Sequence, residues 1–94
     1  EPTTYLDIYY QLELLELVKR LNNDYHLTIV MVLHDINQAI KYSDHIILMK
    51  DGKVLAEGTP DAVITAQVIK DVYQVDVIVR DDVVAGKYIV PISI

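Results

Sequence analysis

Apolar and polar positions alternate along this chain in three distinct rhythms, and each rhythm predicts a different kind of element. From about residue 8 to residue 22, Tyr10, Leu14, Leu17, Val18 and Leu21 recur at three- and four-residue spacing, the period of one face of an α-helix. Glu13, Glu16, Lys19, Arg20 and Asn23 fall on the opposite face. Asp7 is placed to act as the N-cap, and Asn22, Asn23 and Asp24 supply the stop.

Residues 27–33 show no alternation and are rich in β-branched side chains. That pattern predicts a central strand covered on both faces, as in a parallel sheet flanked by helices. Asp35, with Gln38 three positions later, resembles a capping box and predicts a short helix to about Tyr42. With a further strand at 46–50 this gives a βαβ unit, and hence an α/β fold with a right-handed crossover. Asp51-Gly52 is a hairpin turn joining residues 46–50 to 53–57. Thr59 followed by Pro60 opens a short helix, Thr65 caps another running to about Tyr73, and residues 75–80 and 87–92 read as two last strands around Asp81, Asp82 and Gly86.

Composition narrows the functions open to this arrangement. With 94 residues, 52% of them hydrophobic, the chain is sized for one small domain, residues 1–94. Fourteen acidic residues against eight basic ones give a net charge of -6, and no basic stripe is present, which argues against a nucleic-acid partner. The absence of cysteine removes disulfide and thiolate chemistry. The longest aliphatic run, residues 29–33, is far shorter than the ~18 residues of a membrane span. The opening Glu1-Pro2-Thr3-Thr4, without an initiator methionine or a leader pattern, is expected to be the start of an excised piece.

Two places carry candidate chemistry: Glu1 with the loop through Asp7, and His34 at the carboxyl end of the expected strand. In open α/β sheets that edge is where ligands bind, because loops and helix N-termini present free N–H groups there. A carboxylate and an imidazole are both able to accept, donate or hold a proton at such an edge. Asp35 is read as a cap rather than a reacting group. His26 and His45 lack comparable surroundings, so a metal site shared by the three histidines is not expected.

Glu1 to Asp7 (E-P-T-T-Y-L-D), Leu33 to Asp35 (L-H-D) and Asp51 to Pro60 (D-G-K-V-L-A-E-G-T-P) together resemble, in order and spacing, the C-terminal portion of the ATP-binding subunits of ABC transporters, a branch of the P-loop NTPase fold. T-T-Y-L-D-I with Gln11, together with G-T-P-D-A-V-I-T and D-V-Y-Q-V-D-V, is most similar to the subgroup serving siderophore, haem or cobalamin importers. The resemblance implies that Glu1 is the glutamate acting on the attacking water, that Asp7 lies in the D-loop touching the opposite subunit of a nucleotide sandwich, and that His34 is the switch histidine at the γ-phosphate.

By the same resemblance, the full-length protein uses ATP and Mg²⁺, pairs with a second copy, and drives membrane permease subunits from the cytoplasmic face of the cell membrane. This chain departs from the family pattern by lacking the Walker A loop G-x-x-x-x-G-K-[ST], the Gln-containing loop, the signature motif and the Walker B aspartate. It is therefore expected neither to bind nor to hydrolyse ATP alone, and to form an incomplete sheet. The strand at 28–33, missing its family neighbour, is expected to self-associate through a free edge. The residues themselves leave open a non-enzymatic regulatory or interaction module built from the elements after Glu57. A metal-dependent phosphohydrolase using His34 and Asp35 would need further His or Asp ligands, and none is found.

Overall fold

A computed structural model describes residues 4–94. They divide into two units, one ending at Val32 and the other spanning Leu33–Ile94.

In the first unit, Thr4–Tyr25 form helix α1, dense in Leu, Glu, Gln and Lys, residues that lose little rotamer freedom in a helix. It begins earlier than its sequence pattern predicts. Asp7 is therefore not the N-cap but an acidic residue of the first turn, where its charge meets the positive end of the helix dipole. The helix runs through Asn22, Asn23 and Asp24 and ends where His26 adopts a left-handed φ of 57°, a common way for a helix to stop. Asn22 Nδ2 then donates to the Leu27 carbonyl at 2.6 Å and closes the exit.

The predicted apolar stripe on α1 is also displaced. Tyr10, Leu14 and Leu17 are exposed, Val18 and Leu21 are half-buried, and among the described residues of α1 the buried one is Leu15. With Ile8, Tyr9, Tyr10, Leu12, Leu14, Leu15 and Leu17 all present, apolar groups occupy most of the circumference, so periodicity cannot single out one face.

Residues 27–33 are not a strand. A strand exists only through hydrogen bonds to a neighbour, and none of the described strands pairs with this segment. The expected βαβ unit is therefore not formed, and the sheets that do form are two antiparallel pairs. Val30 and Val32 are 89% and 85% exposed.

The second unit follows its local signals closely. Asp35 accepts from Gln38 N at 3.2 Å and caps helix α2, Ile36–Tyr42. Strands β1, Ile46–Lys50, and β2, Lys53–Gly58, form a hairpin whose turn residues Asp51 and Gly52 both have positive φ, 53° and 76°, as a two-residue turn matched to strand twist requires. Thr59 caps α3, Pro60–Val63, and Thr65 caps α4, Ala66–Tyr73. Each hydroxyl accepts from the backbone three residues on, Ala62 N at 3.3 Å and Val68 N at 3.1 Å, the capping bond of a helix's first turn; Ala62 N also reaches the Thr59 carbonyl at 3.0 Å.

Gln74, with φ 56°, ends α4 and donates from its backbone to Lys70 O at 2.8 Å. Strands β3, Asp76–Asp82, and β4, Gly86–Ser93, make the second hairpin. Its pairing shifts between Asp76 and Val77. Pro91, which has no N–H to give, sits opposite Val77 at that irregularity.

The core of this unit is one cluster. Ile46 and Leu48 face inward from β1, Val63 and Ile64 come from α3 and its end, Ile69 and Val72 from α4, and Ile40, Val77 and Ile89 complete it. The alternate burial along β1 is what a strand with one covered face produces. Lys50 Nζ donates to the Asp71 carbonyl at 3.2 Å and ties β1 to α4. No helix of the described residues is long and apolar enough to cross a membrane.

Candidate functional site

His34 occupies a bend directly before the cap of α2 and is exposed. Among the described residues, no side-chain hydrogen bond or ion pair holds its imidazole. Its placement comes from the backbone that follows. The carbonyl of Asp35 accepts from Ala39 N at 3.1 Å while its carboxylate takes the Gln38 N–H, so both ends of Asp35 are committed to the first turn of α2. The chain leaves that turn at His34 with the ring open to solvent.

Helix α2 is in turn fixed to the second hairpin by a side chain that sequence reasoning does not single out. Asn37 Oδ1 accepts from Ile89 N at 2.8 Å, and Asn37 Nδ2 donates to Ile89 O at 3.2 Å. In an antiparallel pair, successive residues point their N–H and C=O alternately toward and away from the partner strand. Ile89 stands opposite Val79 of β3, and its outward peptide groups meet the Asn37 carboxamide as they would meet a third strand. The partners are 52 residues apart, and a lone Asn on a helix carries no local sign of such pairing.

Of the other site residues read from the sequence, Glu1 lies outside the described residues. Asp7 belongs to the first unit and His34 to the second. His45 meets Glu57 through Nε2 at 3.1 Å, both side chains being more than half exposed, and His26 is an exposed residue of the helix exit. Among the described residues there is no group of three or more His, Asp or Glu that could hold a metal ion. The chain has no Gly-rich phosphate loop of the form G-x-x-x-x-G-K-[ST]. A cleft lined by Ile40, Lys41, Pro60 and Lys87 opens beside α2. There Lys87 stands 3.7 Å from Asp61 and 3.7 Å from Asp81, which leaves its charge balanced by carboxylates.

Comparison with characterised proteins gives this arrangement its context. The chain is 45% identical over 86 residues to the ferric enterobactin transport ATP-binding protein FepC of Escherichia coli, a match covering 92% of the chain and 32% of that protein. It is 49% identical over 77 residues to the petrobactin import ATP-binding protein FpuC of Bacillus anthracis, covering 82% of the chain and 28% of the relative. It is 38% identical over 91 residues to the hemin import ATP-binding protein HmuV of Rhodopseudomonas palustris, covering 97% and 34%. No protein-family model matches the chain.

The chain is thus homologous to part of the ATP-binding subunits of ABC transporters. Within that class its relatives are the subunits of iron–siderophore and haemin importers, and it spans about a third of their length.

Proposed function

We propose that this chain forms the C-terminal portion of an ATP-hydrolysing subunit that energises an importer of iron chelates, siderophore or haem. The observation that carries this reading is the 45% identity extending over 92% of the chain, which takes in nearly every element described above. The exposed imidazole at the entry to α2 is compatible with a hydrogen bond to a terminal phosphoryl oxygen. Phosphoryl transfer depends mainly on positioning and charge stabilisation, and one imidazole donor is a sufficient contribution for this segment.

In this reading Glu1 orients the attacking water, His34 contacts the γ-phosphoryl group and Asp7 works across a dimer of ATPase subunits. ATP and Mg²⁺ are held chiefly by parts of the full-length protein that supply the phosphate loop. The subunit docks on membrane permease subunits at the cytoplasmic face. The 94-residue chain alone neither binds nor hydrolyses ATP, and it associates with itself through residues 28–33, whose exposed valines favour pairing with another chain.

Mg-ATP hydrolysis by the full-length protein tests the reading. Glu1→Gln removes the carboxylate while keeping its shape, and turnover is expected to fall by roughly 10²–10⁴-fold, the range for loss of a positioned acid or base. Undiminished turnover would remove Glu1 from the mechanism.

A further inference from the structure

Apolar packing and hydrogen bonding hold α2 in different ways. Ile40 is buried in the core and Ile36 packs against it; such contacts are non-directional and tolerate small slides of a helix over its neighbours. The two bonds between Asn37 and Ile89, at 2.8 and 3.2 Å, are directional and fix where along β4 the helix sits. The side chain of Ile89 is itself buried, so the anchor point is a position where the hairpin packs into the core.

We propose that Asn37 is a positioning residue for His34. The connection is short and continuous. Ile89 holds the Asn37 carboxamide, Asn37 lies in the first turn of α2, the same turn holds both ends of Asp35, and His34 is the next residue out. An imidazole without a side-chain hydrogen bond of its own among the described residues depends on that backbone for its location. A helix that slips along β4 carries His34 with it by the same distance, and a displacement of about 1 Å at a reacting group can cost on the order of 10²-fold in rate. This inference rests on the reading of His34 as the phosphate-contacting group.

The experiment is a double-mutant cycle in the full-length protein, measuring kcat and KM for Mg-ATP hydrolysis together with thermal melting. Asn37→Leu removes both bonds while keeping the same branched arrangement of side-chain heavy atoms. It is expected to lower kcat by about tenfold to a hundredfold with KM held within about twofold, the signature of an interaction used after substrate binding. The melting temperature is expected to fall by only about 2–4 °C. Asn37→Asp keeps an acceptor for Ile89 N but sets an oxygen against Ile89 O; it is expected to lose less rate than Asn37→Leu, and it carries the same cycle if the leucine variant does not fold.

Combined with His34→Ala, either Asn37 variant is expected to cause no further loss, because the group being positioned is gone. Full activity in the Asn37 variants, or losses that multiply with that of His34→Ala, would overturn the positioning role while leaving the His34 reading intact. An unchanged rate in His34→Ala itself would bring down both.

Discussion

Gly58 and Val63 approach so closely that a β-carbon added to Gly58 would stand 3.2 Å from Val63 Cγ1. Gly58 also leaves β2 with a φ of 153°, a backbone region that side chains rarely enter. The close approach lets the end of the hairpin turn directly into the Thr59 cap of α3. Gly58→Ala is expected to destabilise the fold by about 1–3 kcal/mol, the usual range for a strained backbone position, read as a lower urea midpoint with an unchanged slope. An unaltered midpoint would mean that Val63 and the backbone yield freely.

Ile69 is 1% exposed and lies among residues from both hairpins and the neighbouring helices. Truncation to alanine removes the transfer energy of the lost carbons and leaves a cavity, together about 2–5 kcal/mol. That is a large share of what a unit this small can hold. Ile69→Ala is expected to broaden or abolish the thermal transition of the second unit, as followed by circular dichroism. A sharp transition at the original temperature would contradict the packing described.

Among the described residues, Asp82 carries a pH-dependent element with a resolved cause. Its carboxylate accepts from Ala85 N at 2.7 Å and Val84 N at 2.9 Å, the Ala85 bond first and the Val84 bond second in holding its pKa below the ordinary aspartate value. A depressed folded-state pKa means that the stabilisation is complete above the unfolded pKa and is lost as pH falls through the lower, folded one. The turn of the second hairpin is therefore expected to loosen below about pH 4, seen as faster amide exchange at Val84 and Ala85. Asp82→Asn should exchange faster at neutral pH and show less change on acidification; an identical pH profile would remove Asp82 as the cause.

Among the described residues of the first unit, residues 27–32 carry the least satisfied apolar surface, with Val30 and Val32 almost fully open. Light scattering of the 94-residue chain is expected to show a mass that grows with concentration, and Val30→Lys with Val32→Lys is expected to shift it toward the monomer. A monodisperse monomer for the unaltered chain across a wide concentration range would refute self-association.

Legibility in the sequence followed the range of the interactions involved. Asp35, Thr59 and Thr65 each bond to a backbone N–H three residues away, and Asp51-Gly52 sets its own turn, so a local pattern was enough to place α2, α3, α4 and the first hairpin. Residues 27–33 have a strand's composition but not its partner, and composition alone cannot supply hydrogen bonds. Asp7 satisfied two descriptions at once, a cap and a first-turn acid, and the helix extends past it to Thr4. The Asn37–Ile89 pairing was illegible because the β4 edge it completes lies 52 residues further along. The position of His34 before a capped helix was readable from L-H-D, whereas what fixes that helix was not.

The proposed chemistry depends on His34 more than on any other described residue. The most direct measurement is the steady-state rate of Mg-ATP hydrolysis by the full-length protein with His34→Ala, alongside the affinity for ATP. Loss of a preorganised hydrogen-bond donor at a developing charge is expected to lower kcat by roughly 10²–10³-fold with nucleotide affinity little changed. A variant that turns over at the parent rate would contradict the assignment of this imidazole to the terminal phosphoryl group.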